Sequence, residues 1–174
     1  MIKNKIILLL FAVLFLFSGV AHADKKQDQK YSSPDGNFIA YVIALPKAPY
    51  GSGESKIIIK TSNGKILCSK NYGSDTGEHG FGVERAGWSP DSQFFVYSMS
   101  SSGGHQAWHF PLDFISVKDF KVRSLDKYLG PITAPDFKLS NPDIIKSTGR
   151  NKDTLNEDTF ETSLSELITG KKKK

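Results

Sequence analysis

Apolar residues in this chain fall into short runs punctuated by glycine, proline and asparagine, the pattern of strands and turns. Residues 37–45 form one such run, after the turn sequence Ser33-Pro34-Asp35-Gly36. Two prolines and two glycines predict a loop over 46–54. Runs at 56–61 and 65–69 flank Asn63-Gly64, which predicts a tight hairpin with both turn residues at positive φ. Four glycines predict an exposed loop over 73–82, followed by a strand at 83–88. A second turn, Ser89-Pro90-Asp91-Ser92, precedes a strand at 93–99, and 100–104 reads as a flexible connection. Strands are expected at 107–117 and 121–125 around Lys118-Asp119, with weaker ones at 132–139 and 144–147. Near the C-terminus, Phe160, Leu164, Leu167 and Ile168 have helical spacing, while Phe160, Thr162 and Leu164 also fit period 2. In an otherwise β chain the strand is the preferred reading, and the type of this last element stays open.

The two turns belong to a repeat. Residues 33–41 align with 89–97, keeping Ser-Pro-Asp, the Phe four positions after Pro and the Tyr seven positions after it. A fainter third copy starts at Ser140-Asn141-Pro142-Asp143. Proline presets φ at the first central turn position, aspartate bonds nearby amides, and Gly36 tolerates positive φ where the second copy has Ser92. Each turn launches a short apolar strand that cannot bury its faces alone, so the units are expected to stack around one shared interior.

This turn and strand, with Trp88 before the second copy, resemble the Ser-Pro-Asp-Gly repeats of TolB-like β-propellers. The resemblance spans residues 31–148 and implies periplasmic, blade-built proteins that mainly recognise other proteins. It transfers no functional residue, because the matched positions are structural. A closed propeller needs four to eight blades of ~40–50 residues each, more than this chain holds. The expected fold is therefore all-β: two to three propeller-blade-like antiparallel sheets in an open stack or a sandwich-like domain. Completion of a ring by oligomerisation is the remaining arrangement.

The start of the chain carries an address. Lys3 and Lys5 precede an unbroken apolar run over 6–17, and Ala21-His22-Ala23 fits a cleavage site. The run is shorter than the ~20 residues a membrane span needs. Residues 1–23 are thus expected to be a cleaved signal peptide and 24–30 a polar lead-in. A single β-repeat domain is expected over 31–168, then a basic tail over 169–174. The mature chain is expected to be periplasmic or secreted, with no transmembrane segment after cleavage. Cys68 is the only cysteine, so no internal disulfide can form, and beside Leu67 it reads as a small buried group. The net charge of +5 sits mainly in the leader and in Lys171, Lys172, Lys173 and Lys174, which marks a tail rather than a basic face. Nucleic-acid binding is not expected.

Candidate chemistry is sparse. His105 and His109 lie four residues apart without the glutamate of a zincin motif, and a zinc or copper site with His79 and Asp75 or Glu78 is only a formal option. No Gly-x-Ser-x-Gly elbow or phosphate-binding glycine loop occurs. No catalytic residue, metal or cofactor is assigned. The favoured binding surfaces are the two glycine-rich loops with Asp75, Glu78, His79, His105, Trp108 and His109, since recognition usually lives on loops held by a scaffold. The expected function is non-catalytic binding of another envelope or secreted protein, with a homo-oligomer as an option. The alternatives are a small-ligand or metal-binding module and a hydrolase.

Overall fold

The structure, a computed structural model, describes residues 28–46 and 53–170. The leader and the four-lysine tail lie outside these residues.

Three antiparallel meanders follow one another. The first sheet pairs β1 (Gln29–Ser32), β2 (Phe38–Ala44), β3 (Ser55–Thr61) and β4 (Ile66–Asn71) in chain order. The second does the same with β5 (Phe81–Trp88), β6 (Phe94–Ser101), β7 (Leu112–Ser116) and β8 (Val122–Ser124). A short helix, α1 (Asp126–Leu129), leads to a third sheet of β9 (Ile132–Ser140), β10 (Ile144–Arg150) and β11 (Glu157–Ser163). Helix α2 (Leu164–Thr169) follows. The sheets stack face to face and do not close into a barrel. The expected all-β open stack of blade-like sheets is the observed architecture.

The two Ser-Pro-Asp turns are built alike. Ser33 Oγ donates to Asp35 Oδ1 at 2.6 Å and accepts the Phe38 N–H at 3.0 Å, while Asp35 Oδ1 accepts the Asn37 N–H at 3.1 Å. Ser89, Asp91, Gln93 and Phe94 repeat this set at 2.6, 3.0 and 3.0 Å. Both therefore bridge the first two strands of a sheet. The third copy departs: Asp143 accepts the Ser163 Oγ–H at 2.9 Å and the Ser165 N–H at 2.8 Å, tying the turn to α2. The turns also join each other. The Asp35 N–H donates to Ser92 Oγ at 3.0 Å, and the Asp91 N–H donates to the Pro142 carbonyl at 3.2 Å.

Ser92 sits at φ 63°, where Gly36 sits at 73°. A side chain in the left-handed region costs about 1 kcal/mol, and here the hydroxyl offsets it by capping the preceding turn. Ser92→Ala should lose about 1 kcal/mol, keeping the strain without the bond. Ser92→Gly should lie close to the native protein, since relieved strain balances the lost bond. Thermal unfolding of both variants checks this; equal losses would show that strain plays no part.

The expected single interior is two cores, because the middle sheet has no solvent face. All of Phe94 to Met99 on β6 are buried. Strand alternation sends Phe95, Tyr97 and Met99 toward Ala40, Val42, Ile57 and Ile59 of the first sheet. Phe94 and Val96, with Leu112 and Phe114, face Ile132, Ile145 and Leu164. Trp88 closes the first core, stacking on Phe38 and donating its indole N–H to the Tyr31 carbonyl at 3.0 Å.

Several elements differ from expectation. Only Gly64 of the hairpin has positive φ, 92°. The Gly64 N–H bonds Thr61 O, making a three-residue loop with a terminal glycine instead of a two-residue turn. The lead-in ends as strand β1, since its backbone can pair with β2 whatever its side chains. The predicted strand at 107–117 begins only at Leu112, because Gln106 takes φ 55° and its carbonyl accepts the His109 N–H in a turn. At the C-terminus both periods are real in succession. Phe160 lies in β11, Ser163 caps α2 by accepting the Glu166 N–H, and Leu164, Leu167 and Ile168 enter the second core.

Candidate functional site

In an antiparallel meander successive connections alternate between the two ends of the sheet. The Ser-Pro-Asp turns and the Asn63-Gly64 hairpin occupy one end. The connections 72–80, 102–111 and 151–156 occupy the other, together with Glu54. All six residues expected to bind thus lie at one end of the stack, in two groups on the 72–80 and 102–111 connections.

The first group sits where the first two sheets meet. His79 and His105 stack, with ring centroids 6.2 Å apart and planes 17° from parallel, and both are exposed. Their loops touch: a Cβ on Gly103 would lie 2.2 Å from the Glu78 carbonyl oxygen. Asp75 is exposed and lines a cleft of about 430 Å³ with Leu45, Asn71 and Thr76.

Beneath these loops lies Glu54, 4% exposed. Its Oε1 accepts the Ser74 hydroxyl at 2.7 Å, the Gly80 N–H at 2.7 Å and the Ser102 hydroxyl at 2.8 Å. Its Oε2 accepts the Ser74 N–H at 2.7 Å. Burial alone would raise this carboxyl, but these hydrogen bonds outweigh it and hold it below its ordinary value. Gly80 has no room for a side chain, since a Cβ would meet Tyr72 O at 2.2 Å. One carboxylate therefore pins both glycine-rich loops to the scaffold.

The second group spans the second and third sheets. His109 Nε2 lies 2.5 Å from Asp126 Oδ2, and Asp126 Oδ1 accepts the Leu112 N–H at 3.2 Å. The other imidazole nitrogen faces Gln106 Oε1 at 3.3 Å, not a serine, threonine or cysteine. Trp108, 43% exposed, stacks on His109, and the Arg150 guanidinium lies 4.5 Å from its ring centroid. The three histidines expected as a formal metal option do not converge: His79 pairs with His105, and His109 turns to Asp126. Among the described residues no three His, Cys, Asp or Glu side chains are grouped to hold a metal.

A polar cluster that the sequence reading missed lies between β4 and β7. The Tyr72 hydroxyl donates to Asp113 Oδ2 at 2.7 Å and meets the Tyr97 hydroxyl at 2.7 Å. Burial raises the Asp113 carboxyl above its ordinary value, and the Asp126 charge adds to this; bonds from Tyr72 and Ser124 oppose it. Burial likewise raises both tyrosines and the Cys68 thiol, which makes Cys68 a poor nucleophile. A raised carboxyl binds its proton more tightly in the folded state. Its contribution is fully present below the ordinary value of 3.8 and is lost as pH rises through the folded value. Asp113→Asn, which keeps an acceptor for Tyr72, should therefore gain about 1 kcal/mol at pH 7 and remove this pH slope. Urea unfolding of both proteins between pH 3 and 8 measures it, and a loss at pH 7 would show that the charge itself stabilises.

Glu54, Asp113, Asp126 and Arg150 carried no signal in the sequence. Their main partners lie 14 to 48 positions away along the chain, and no local spacing marks them.

No family model matches this chain, and no curated protein matches its sequence. Among solved structures it is similar to a puromycin hydrolase at 15% identity and TM-score 0.41, covering 77% of this chain and 21% of that one. It is also similar to a mutant puromycin hydrolase complexed with PGG at 13% identity and TM-score 0.29, covering 81% of this chain and 27% of that one. The chain thus spans only a minor part of the length of these structures.

Proposed function

We propose that this is an exported β-repeat protein of the TolB-like blade type that binds another envelope or secreted protein and performs no chemistry of its own. The observation that carries this reading is the loop surface over Glu54. Two loops from different repeats are held by one buried carboxylate, and they present Asp75, His79 and His105 to solvent on a rigid base. Such preorganisation reduces the ordering cost of binding. The leader at 1–23 and the repeated turns support export and the blade assignment.

Cross-linking in the periplasm or culture medium, with the native chain and a His79→Ala/His105→Ala variant as baits, tests this. One partner is expected on the native bait and absent from the variant. Capture of the same partner by both baits, or of none across several growth conditions, would overturn it.

A further inference from the structure

The two ends of the stack show solvent different faces. On the first sheet, Ile39, Tyr41 and Ile43 of β2 and Ile58 of β3 point away from the first core and belong to neither core. Ile66, 58% exposed, lies opposite Lys60 and extends this face. Three lysines share it by register: Lys30 opposite Tyr41, Lys56 opposite Ile43 and Lys60 opposite Ile39. The Lys60 ammonium lies 5.1 Å from the Tyr41 ring centroid. Among the described residues no carboxylate pairs with any of the three. Asp28, at the corner, is taken by the Ala44 N–H at 3.0 Å.

The third sheet is finished differently. Its outward positions include Lys138, Lys146, Arg150, Glu157 and Glu161, mixed in sign, with Lys146 and Glu161 paired at 3.5 Å. A polar outer face is how a terminal repeat caps an array. The first sheet instead has an apolar centre with a mainly cationic rim, Asp28 at one corner being the exception, the layout of a protein interface.

We propose that the outward face of β1–β4 docks an acidic partner protein, its apolar patch seated on Ile39, Tyr41, Ile43 and Ile58 and its carboxylates on Lys30, Lys56 and Lys60. A second copy fits poorly. Two such faces repel, and the third sheet offers no apolar counterpart. The chain of turn contacts also ends at Gly36, which lacks the hydroxyl Ser92 uses to accept from a neighbouring turn. A lipid surface is the alternative that the vesicle arm of the test distinguishes. The inference rests on the sheet alone and is independent of the loop surface over Glu54.

The test follows backbone amide NMR shifts of the mature chain with three probes. They are an amphipathic peptide of leucines flanked by glutamates, the same peptide with lysine for glutamate, and phosphatidylglycerol vesicles. The acidic peptide is expected to shift Ile39, Tyr41, Ile43 and Ile58, with affinity falling about tenfold from low to physiological salt. In Lys30→Glu/Lys56→Glu/Lys60→Glu the preference should reverse to the basic peptide. Shifts located elsewhere, no shifts, retained acidic binding by the triple variant, binding to vesicles alone, or a dimer that buries this face would each overturn it.

Discussion

Glu54→Ala is expected to cost about 3 kcal/mol, because it removes the carboxylate that accepts from two Ser74 groups, Gly80 and Ser102, although the Gly80 N–H keeps Ser102 Oγ at 3.0 Å. Glu54→Gln should cost less, since one oxygen remains to accept. The loss should be localised as well as global. Hydrogen exchange should accelerate over 73–82 and 100–105 in both variants before the sheets respond, because Glu54 holds these loops and little else. The sign of the pH dependence follows from the lowered carboxyl. Below its ordinary value of 4.5 the unfolded chain takes up the proton first, so stability is present above that pH and falls as pH drops toward the folded value. The native protein should lose stability in this acid range more steeply than Glu54→Gln. Parallel acid titrations monitored by tryptophan fluorescence, with Trp88 in the first core, check the difference. Identical slopes would place the acid sensitivity elsewhere.

Phe95→Ala and Phe114→Ala should each cost about 4 kcal/mol, the usual range for emptying a fully buried aromatic site. Their consequences should differ. Phe95 touches Tyr31, Trp88 and Tyr97 in the first core, whereas Phe114 packs on Phe94 and Tyr128 in the second. Removing Phe95 should expose the amides of β2 and β3 while β10 stays protected. Removing Phe114 should do the reverse. Hydrogen exchange by mass spectrometry distinguishes the patterns, and matching patterns would mean that the three sheets open as one unit.

These expectations show which physics a sequence displays. The turns at Pro34 and Pro90 were legible because their hydrogen bonds close within five residues. The β6 strand was legible because burial on both faces writes an unbroken run. The far end of β10 was not, since Arg150 is an outward position that looks like a loop residue without the neighbouring strand. Glu54 read as the end of a loop, because the residues it bonds lie 20 to 48 positions away. The six residues singled out in the sequence share one end of the molecule, which no local pattern foretold. Their division into a histidine pair and a tryptophan–histidine–arginine stack depends on inter-sheet packing that no local pattern records.

The doubly covered middle sheet also sets an order of events. As the chain emerges from the ribosome, the first meander is complete at Asn71, yet Ile57 and Ile59 lack their β6 partners Phe95, Tyr97 and Met99 until residue 99 is out. The nascent chain therefore spends the passage of nearly thirty residues with its earliest sheet half-made. A holding chaperone has its natural opening in that interval, and it closes when Phe95 and Tyr97 arrive.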